Sequence, residues 1–140
     1  MRVVFDTNVV LDVLLDRAPH VDVAARLFAL VDNERMDGLI CATTATTVFC
    51  IAARSFGRRR AHAQVHGLLA LFAVAPVDRG VLDRALDLEF ADFEDAVLHE
   101  AARSAGAAAI VTRDGAGFAK ATLPVVDPHE LLASIVAAAE

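Results

Sequence analysis

The chain has no tryptophan, no tyrosine and two cysteines among its 140 residues. Cys41 and Cys50 sit in apolar stretches and form no C-x-x-C pair, which excludes the usual zinc spacing and a secretory disulfide framework. Both are expected to be small buried thiols. Positive charge is also scarce. Thirteen Lys and Arg against nineteen Asp and Glu give a formal charge of −6 and a pI near 5.3. That is the opposite of a general nucleic-acid coat protein, so any nucleic-acid contact must be local. The longest apolar run, Gly67 to Val77, contains Pro76 and is far shorter than the ~20 residues of a membrane span. Met1 and Arg2 lead straight into Val3-Val4-Phe5 and Asp6, which leaves no room for the regions of a signal peptide. A cytoplasmic protein without membrane insertion is the expectation. What the chain does have is 56% hydrophobic and 23% charged residues, which excludes disorder, collagen and mini-protein scaffolds. One domain over residues 1–140 is expected, burying roughly two thirds of its unfolded surface without disulfides or a structural metal.

Short β-branched runs alternate with longer segments of helical period. Strands are predicted at Arg2–Phe5, Gly38–Cys41, Val74–Val77, Ala108–Val111 and Val125–Val126, each bounded by polar or turn residues. Three-to-four spacing recurs in Val9, Val10, Val13 and Leu14; in Val23, Leu27, Leu30 and Val31; in Val48, Ile51 and Ala52; and in Leu68, Leu69 and Phe72. Further helices are predicted through Val81–Leu86, from Asp92 to a cap at Gly106, and after Asp127 with Pro128 in the first turn. Strand–helix–strand repetition argues for a parallel sheet covered on both faces.

In such a sheet ligands collect beyond the carboxyl ends of the strands. Asp6 follows Val3-Val4-Phe5 directly, and Asp114 follows Ile110-Val111-Thr112-Arg113. Asp92 and Asp95 open the helix that leads into the second of these strands, three residues apart and hence on one helix face. Each acid has a plain structural reading as a helix cap, a turn residue or a first-turn acid favoured by the helix dipole. Asp92 is the better cap and Asp95 the better ligand. Taken together and in this order they suit one site. Crowded carboxylates repel unless a hard divalent cation compensates them, and oxygen-only ligation points to Mg²⁺ or Mn²⁺. The chemistry of such a site is phosphodiester hydrolysis.

Val3 through Leu11, then Asp92-Phe93-Glu94-Asp95-Ala96, then Ile110-Val111-Thr112-Arg113-Asp114-Gly115-Ala116-Gly117-Phe118 resemble the PIN domain over essentially the whole chain. The similarity is greatest to prokaryotic PIN ribonucleases of the kind that serve as VapC-type toxins. The resemblance implies a three-layer α/β/α fold with a central, mainly parallel sheet and a Mg²⁺- or Mn²⁺-dependent ribonuclease with an acidic pocket. It further implies an RNA substrate, frequent homodimers and often an antitoxin partner. It puts the family's first, third and fourth acids on Asp6, Asp95 and Asp114, with Asp92 as a secondary ligand. Thr7, Asn8 and Thr112 fall where polar residues shape the pocket. The second acid has no counterpart: Ala42 to Phe49 contains no carboxylate, and Thr47 occupies its place. A hydroxyl cannot neutralise a cation, so metal affinity is expected to fall.

Arg54, Arg58, Arg59 and Arg60 concentrate positive charge around Gly57 and are candidates for RNA-backbone contact or a solvated helix junction. His62 and His66 share a two-histidine spacing but lack the remaining parts of a helical zinc motif. His99 lies one turn beyond Asp95, within reach of the pocket, but is expected on the helix surface. A haloacid-dehalogenase-like phosphatase needs a second Asp where this chain has Asn8. A PIN domain that binds RNA or protein without cutting is the stronger alternative.

Overall fold

A computed structural model describes residues 1–139. The elements run β1 (Arg2–Phe5), α1 (Thr7–Leu14), α2 (Val21–Asp32), β2 (Asp37–Cys41), α3 (Ala42–Phe56), α4 (Arg58–Leu71), β3 (Ala73–Ala75), α5 (Arg79–Leu86) and α6 (Phe93–Ser104). They continue through β4 (Ala109–Val111), a 3-10 turn at Gly115–Phe118, β5 (Val125–Val126) and α7 (Pro128–Ala139). The strands are ordered β3-β2-β1-β4-β5 and every neighbouring pair is parallel.

β1 is central, with Val4 opposite Leu39 on one side and Ile110 on the other. A strand covered on both faces reads as an unbroken apolar run rather than an alternation, and Val3, Val4 and Phe5 are all fully buried. Val3 and Phe5 join one core with Val10 of α1, Leu27 of α2, Val48 of α3, Leu68 of α4 and Leu131 of α7. Val4 joins the other with Val81 of α5 and Val97 and Ala101 of α6. This is the three-layer α/β/α fold. In the first core the rings of Phe5, Phe28 and Phe72 meet edge to face, with centroids 5.0–5.9 Å apart, a geometry worth about 0.5–1.5 kcal/mol per pair beyond burial.

Several local expectations are corrected. β3 covers Ala73–Ala75 rather than Val74–Val77, because Pro76 has no N–H to give to a ladder. Phe72 leaves the helical pattern with extended backbone and turns into the core, while Leu69 is exposed. Cys41 is buried but Cys50 is exposed. α3 packs through Val48 and Ala52, and Cys50, two residues from each, lies about 200° around the helix from both. Gly106 ends α6 as expected, at φ 73°, where any side chain would be strained. Among the described residues no helix is long and apolar enough to cross a membrane.

From β1 the chain moves outward to β2 and β3, then returns to the opposite side for β4 and β5. The strand order therefore reverses between β1 and β4, and a crevice forms beyond their carboxyl ends. The Asp6 N–H donates to the Val111 carbonyl across this junction at 3.0 Å, so the residues that follow the two strands face one opening.

Candidate metal and nuclease site

A cleft of about 370 Å³ opens at the reversal, with Asp6, Asn8, Thr47, Glu94, Asp95 and Asp114 in its wall. Asp6 caps α1, one carboxylate oxygen accepting from the Thr7 N–H at 2.8 Å, while the other accepts from the Thr112 hydroxyl at 2.7 Å. The Thr112 oxygen in turn accepts from Asn8 Nδ2 at 3.2 Å and from the Asp114 N–H at 3.0 Å. One hydroxyl thus fixes the first residues after β1 and β4 relative to each other. Thr7 shares a hydrogen bond with Thr44 at 2.9 Å, which ties α1 to α3. Burial pushes the Asp6 carboxyl up, the charges of Asp114 and Glu94 add to the rise, and the Thr112 and Thr7 hydrogen bonds oppose it.

Asp92 is the cap of α6, accepting from the N–H groups of Glu94 at 2.7 Å and Asp95 at 3.3 Å. It also lines the cleft, so the capping and site readings of this residue coexist. Asp95, in the first turn of α6, has its carboxyl pushed up to about 7, by burial first and then by the charges of Asp6, Asp92, Asp114 and Glu94. Asp114 caps the 3-10 turn by accepting from the Gly117 N–H at 3.3 Å. A Cβ at Gly117 would stand 2.9 Å from Asp95 Oδ2 and 3.0 Å from Asp114 Oδ2. Both carboxylates therefore crowd the side on which the glycine is bare.

The structure brings Asp6, Asp92, Asp95, Asp114, Thr7, Asn8 and Thr47 to the cleft, with Thr112 bonded directly behind Asp6. Arg54, Arg58, Arg59 and Arg60 are not among the residues lining it. Thr47 faces the cleft and Arg54 follows seven residues later on α3, which ends at Phe56 just before Arg58, so the basic cluster begins about 10 Å further along the helix. There Arg60 stacks on the Phe56 ring at 3.9 Å. His62 and His66 are exposed. His99, expected on the helix surface, is fully buried, because α6 is packed on nearly all sides from Ala96 to Ala102. Its Nδ1 faces Glu100 Oε2 at 2.8 Å, and Nε2 accepts from the Thr122 N–H at 3.0 Å.

Three residues of the wall escaped the sequence pattern. Glu94 lies inside the acidic run but reads as a dipole-favoured first-turn acid; its Oε1 accepts from the Thr47 hydroxyl at 3.2 Å, which brings a carboxylate to the place where α3 has none. Arg17 and Arg113 also line the cleft, and neither carries a local signal. A larger depression of about 490 Å³, around Arg2, Asp37 and Ala73, lies at the amino ends of the strands, away from these residues.

The donor set is carboxylate oxygen throughout; burial first, and then the neighbouring carboxylates, raise Asp6 and Asp95, and a hard divalent cation would offset the gathered negative charge. Among the described residues no three His, Cys, Asp or Glu side chains converge closely enough to hold a metal ion as they stand. Binding one would require the carboxylates to turn inward.

A PIN domain family model matches residues 2–116. No curated protein sequence matches the chain. Among solved structures, a toxin-antitoxin complex from Klebsiella pneumoniae is 23% identical with a TM-score of 0.68, over 90% of this chain and 97% of that one. FitAcB from Neisseria gonorrhoeae is 17% identical with a TM-score of 0.71, over 91% and 98%. VapC20 from Mycobacterium tuberculosis, described as a toxin that cleaves the sarcin-ricin loop, is 17% identical with a TM-score of 0.62, over 77% and 86%. At these identities the likeness is one of fold.

Proposed function

This chain belongs to the PIN domain family, and from that premise we propose that it is a divalent-metal-dependent ribonuclease of the toxin type, one domain acting through Asp6, Asp95 and Asp114. The observation that carries the reading is the gathering of these three acids, with Asp92 and Glu94, on one cleft at the carboxyl edge of β1 and β4. RNA as the substrate class is supported by VapC20, a neighbour of the same fold described as a toxin that cleaves the sarcin-ricin loop. When bound, Mg²⁺ or Mn²⁺ would activate water and offset charge developing on phosphorus. Asp6, Asp95 and Asp114 would hold it, with Asp92 in support and Glu94 making up the charge that Thr47 does not bring.

The remaining work falls to the chain's own groups. Thr112 and the Thr7 N–H orient the Asp6 carboxylate. Asn8 fixes the Thr112 hydroxyl by donating to it, and the bare side of Gly117 leaves room for Asp95 and Asp114 to approach each other. The raised Asp95 carboxyl is shared between protonated and ionised forms near neutrality; a bound cation would favour the ionised form, so metal uptake would release protons. The test is RNA cleavage with Mn²⁺, with EDTA, and in Asp6→Asn, which keeps the shape and removes the charge. Cleavage that survives both EDTA and Asp6→Asn excludes the mechanism.

A second reading, a PIN domain that binds RNA or protein without cutting, is favoured by Thr47 in the place of an acid and by side chains that do not yet converge as a ligand set. Mn²⁺ titration separates the two, since an active nuclease must take the ion up. A cytoplasmic location, an antitoxin partner and a second copy of the chain belong to the same toxin-type reading; the Klebsiella pneumoniae neighbour is a toxin-antitoxin complex, and Phe56, Leu82 and Leu86 are exposed apolar surface here.

A further inference from the structure

Two cations stand in a cleft otherwise dominated by carboxylates, and both are held by one buried anion. Arg17 lies between α1 and α2, and Arg113 between β4 and Asp114. Asp12 on α1 has a side chain 1% exposed; it accepts from Arg17 Nε at 2.9 Å and from both Nε and Nη2 of Arg113, the latter at 3.0 Å. Arg17 Nη2 also donates to the Asn8 carbonyl at 3.1 Å. A guanidinium has about five N–H donors in a fixed fork that suits phosphate oxygens, and each of these two has donors left over. Their side chains remain 38% and 28% exposed.

One carboxylate paired with two guanidiniums leaves a unit of positive charge fixed at the wall of the cleft. Stability alone does not call for the second cation: a buried carboxylate is satisfied by one bidentate arginine, which Arg113 already provides. Arg113 also borders an adjoining depression of about 170 Å³ with His20, Asp127 and His129. Arg113 thus borders both the acidic cleft and a second opening.

We propose that Arg17 and Arg113, locked by Asp12, are the phosphate-binding pair of this cleft and receive the sugar-phosphate backbone of single-stranded RNA beside Asp6, Asp95 and Asp114. The inference rests on the ribonuclease reading for its substrate, and it moves the backbone contact from the Arg58–Arg60 cluster to the cleft itself. The two arginines are positioning residues: they fix the register of the strand and take no part in bond breaking.

The experiment measures fluorescence anisotropy of a short fluorescein-labelled phosphorothioate oligouridylate, which resists cleavage, with Mn²⁺ and over a series of KCl concentrations. For single strands each phosphate contact contributes about 0.7 to the slope of log affinity against log salt. Arg17→Gln and Arg113→Gln should each reduce the slope by about 0.7 and weaken binding several-fold at low salt, the difference closing as salt rises. In each variant Asp12 keeps one arginine, so the fold is retained; the double variant is made with Asp12→Asn to avoid an unpaired buried charge. Arg113→Lys should preserve the slope while lowering affinity, which a purely structural role would not do. The triple Arg58→Gln, Arg59→Gln, Arg60→Gln variant should keep the parental slope. Unchanged slopes in both single Gln variants, or a slope lost only in the triple variant, overturn the proposal. Mn²⁺ uptake, followed by electron paramagnetic resonance, is read in parallel: its absence in the parent refutes the metal-dependent reading, while the salt slopes still decide the arginines.

Discussion

Asp95→Asn should make the metal-free protein more stable. The Asp95 carboxyl is raised from 3.8 to about 7 by burial and by four neighbouring carboxylates, so the folded protein holds a proton that the unfolded chain has released. For an acid raised in this way the folded state binds more protons between the two values, and stability falls as pH rises through that window. The penalty is absent below about pH 4, grows to about pH 7 and is constant above it. At face value the shift corresponds to about 4 kcal/mol; Asp95 is partly exposed, and solvent screening reduces this to about 1–2 kcal/mol. The amide keeps the shape and removes the ionisation. Thermal unfolding at pH 8 in EDTA should therefore show a Tm about 3–8 °C above the parent, and the two proteins should converge by pH 4. Asp6, also raised, makes the parent's own decline steeper.

Mn²⁺ should reverse the order. A cation in hundredfold excess over its Kd stabilises the parent by about 2.7 kcal/mol, and the Asn variant, one charge short, should gain much less. A variant that follows the parent at every pH, or exceeds it equally at pH 4 and pH 8, would refute the charge crowding on which the site is built.

Thr47→Glu sets a second carboxylate where a hydroxyl now donates to Glu94 at 3.2 Å; the metal-free protein should lose about 1 kcal/mol while Mn²⁺ affinity rises, and a folded variant with weaker Mn²⁺ binding would remove Thr47 from the metal's surroundings. Gly117→Ala forces apart the Asp95 and Asp114 oxygens that stand 2.9 and 3.0 Å from the new carbon, so Mn²⁺ affinity by calorimetry should fall about tenfold or more, corresponding to at least about 1.4 kcal/mol; parental affinity would show that the two do not share an ion. Light scattering should show association through exposed apolar residues such as Phe56, Leu82 and Leu86, and Leu82→Glu with Leu86→Glu should reduce it; a clean monomer in the parent would count against a homodimer.

The sheet was legible in the sequence because β1, β2 and β4 are buried on both faces, and a strand in that position has to be apolar throughout. The acids were legible because a carboxylate directly after such a strand, as in Phe5-Asp6, has little reason to be there unless it is used. Glu94 was hidden by its neighbours: a first-turn acid between Phe93 and Asp95 is already explained by the helix dipole, and only the approach of α3 to α6 shows that it meets Thr47. Arg17 and Arg113 were hidden for a different reason. They are separated from Asp12 by 5 and 101 positions, so their common anchor exists only after folding, whereas the contiguous Arg58-Arg59-Arg60 drew attention without any partner in the site. His99 shows the same limit, since its burial depends on α6 being enclosed between the sheet and the segment at Thr122.

The charges around the cleft also fix an order of binding. Asp6, Asp92, Glu94, Asp95 and Asp114 face Arg17 and Arg113, and Asp12 offsets one of the two arginines. The metal-free wall is therefore strongly negative, and a phosphate entering it meets repulsion that a single unit of positive charge does not cancel. A divalent cation reverses the local balance and lowers the barrier to the strand, so Mn²⁺ should raise affinity for the phosphorothioate oligouridylate. Linkage requires the same factor in the other direction: the oligonucleotide must raise Mn²⁺ affinity equally. A coupling of about 1–3 kcal/mol corresponds to about 5–150-fold, and Glu94→Gln should reduce it, because with fewer carboxylates the metal-free cleft repels RNA less. Titrating each ligand with and without the other measures both arms of the cycle. Equal oligonucleotide affinity in Mn²⁺ and in EDTA would mean that the strand binds outside the field of these carboxylates, and the cleft would lose its claim to the substrate.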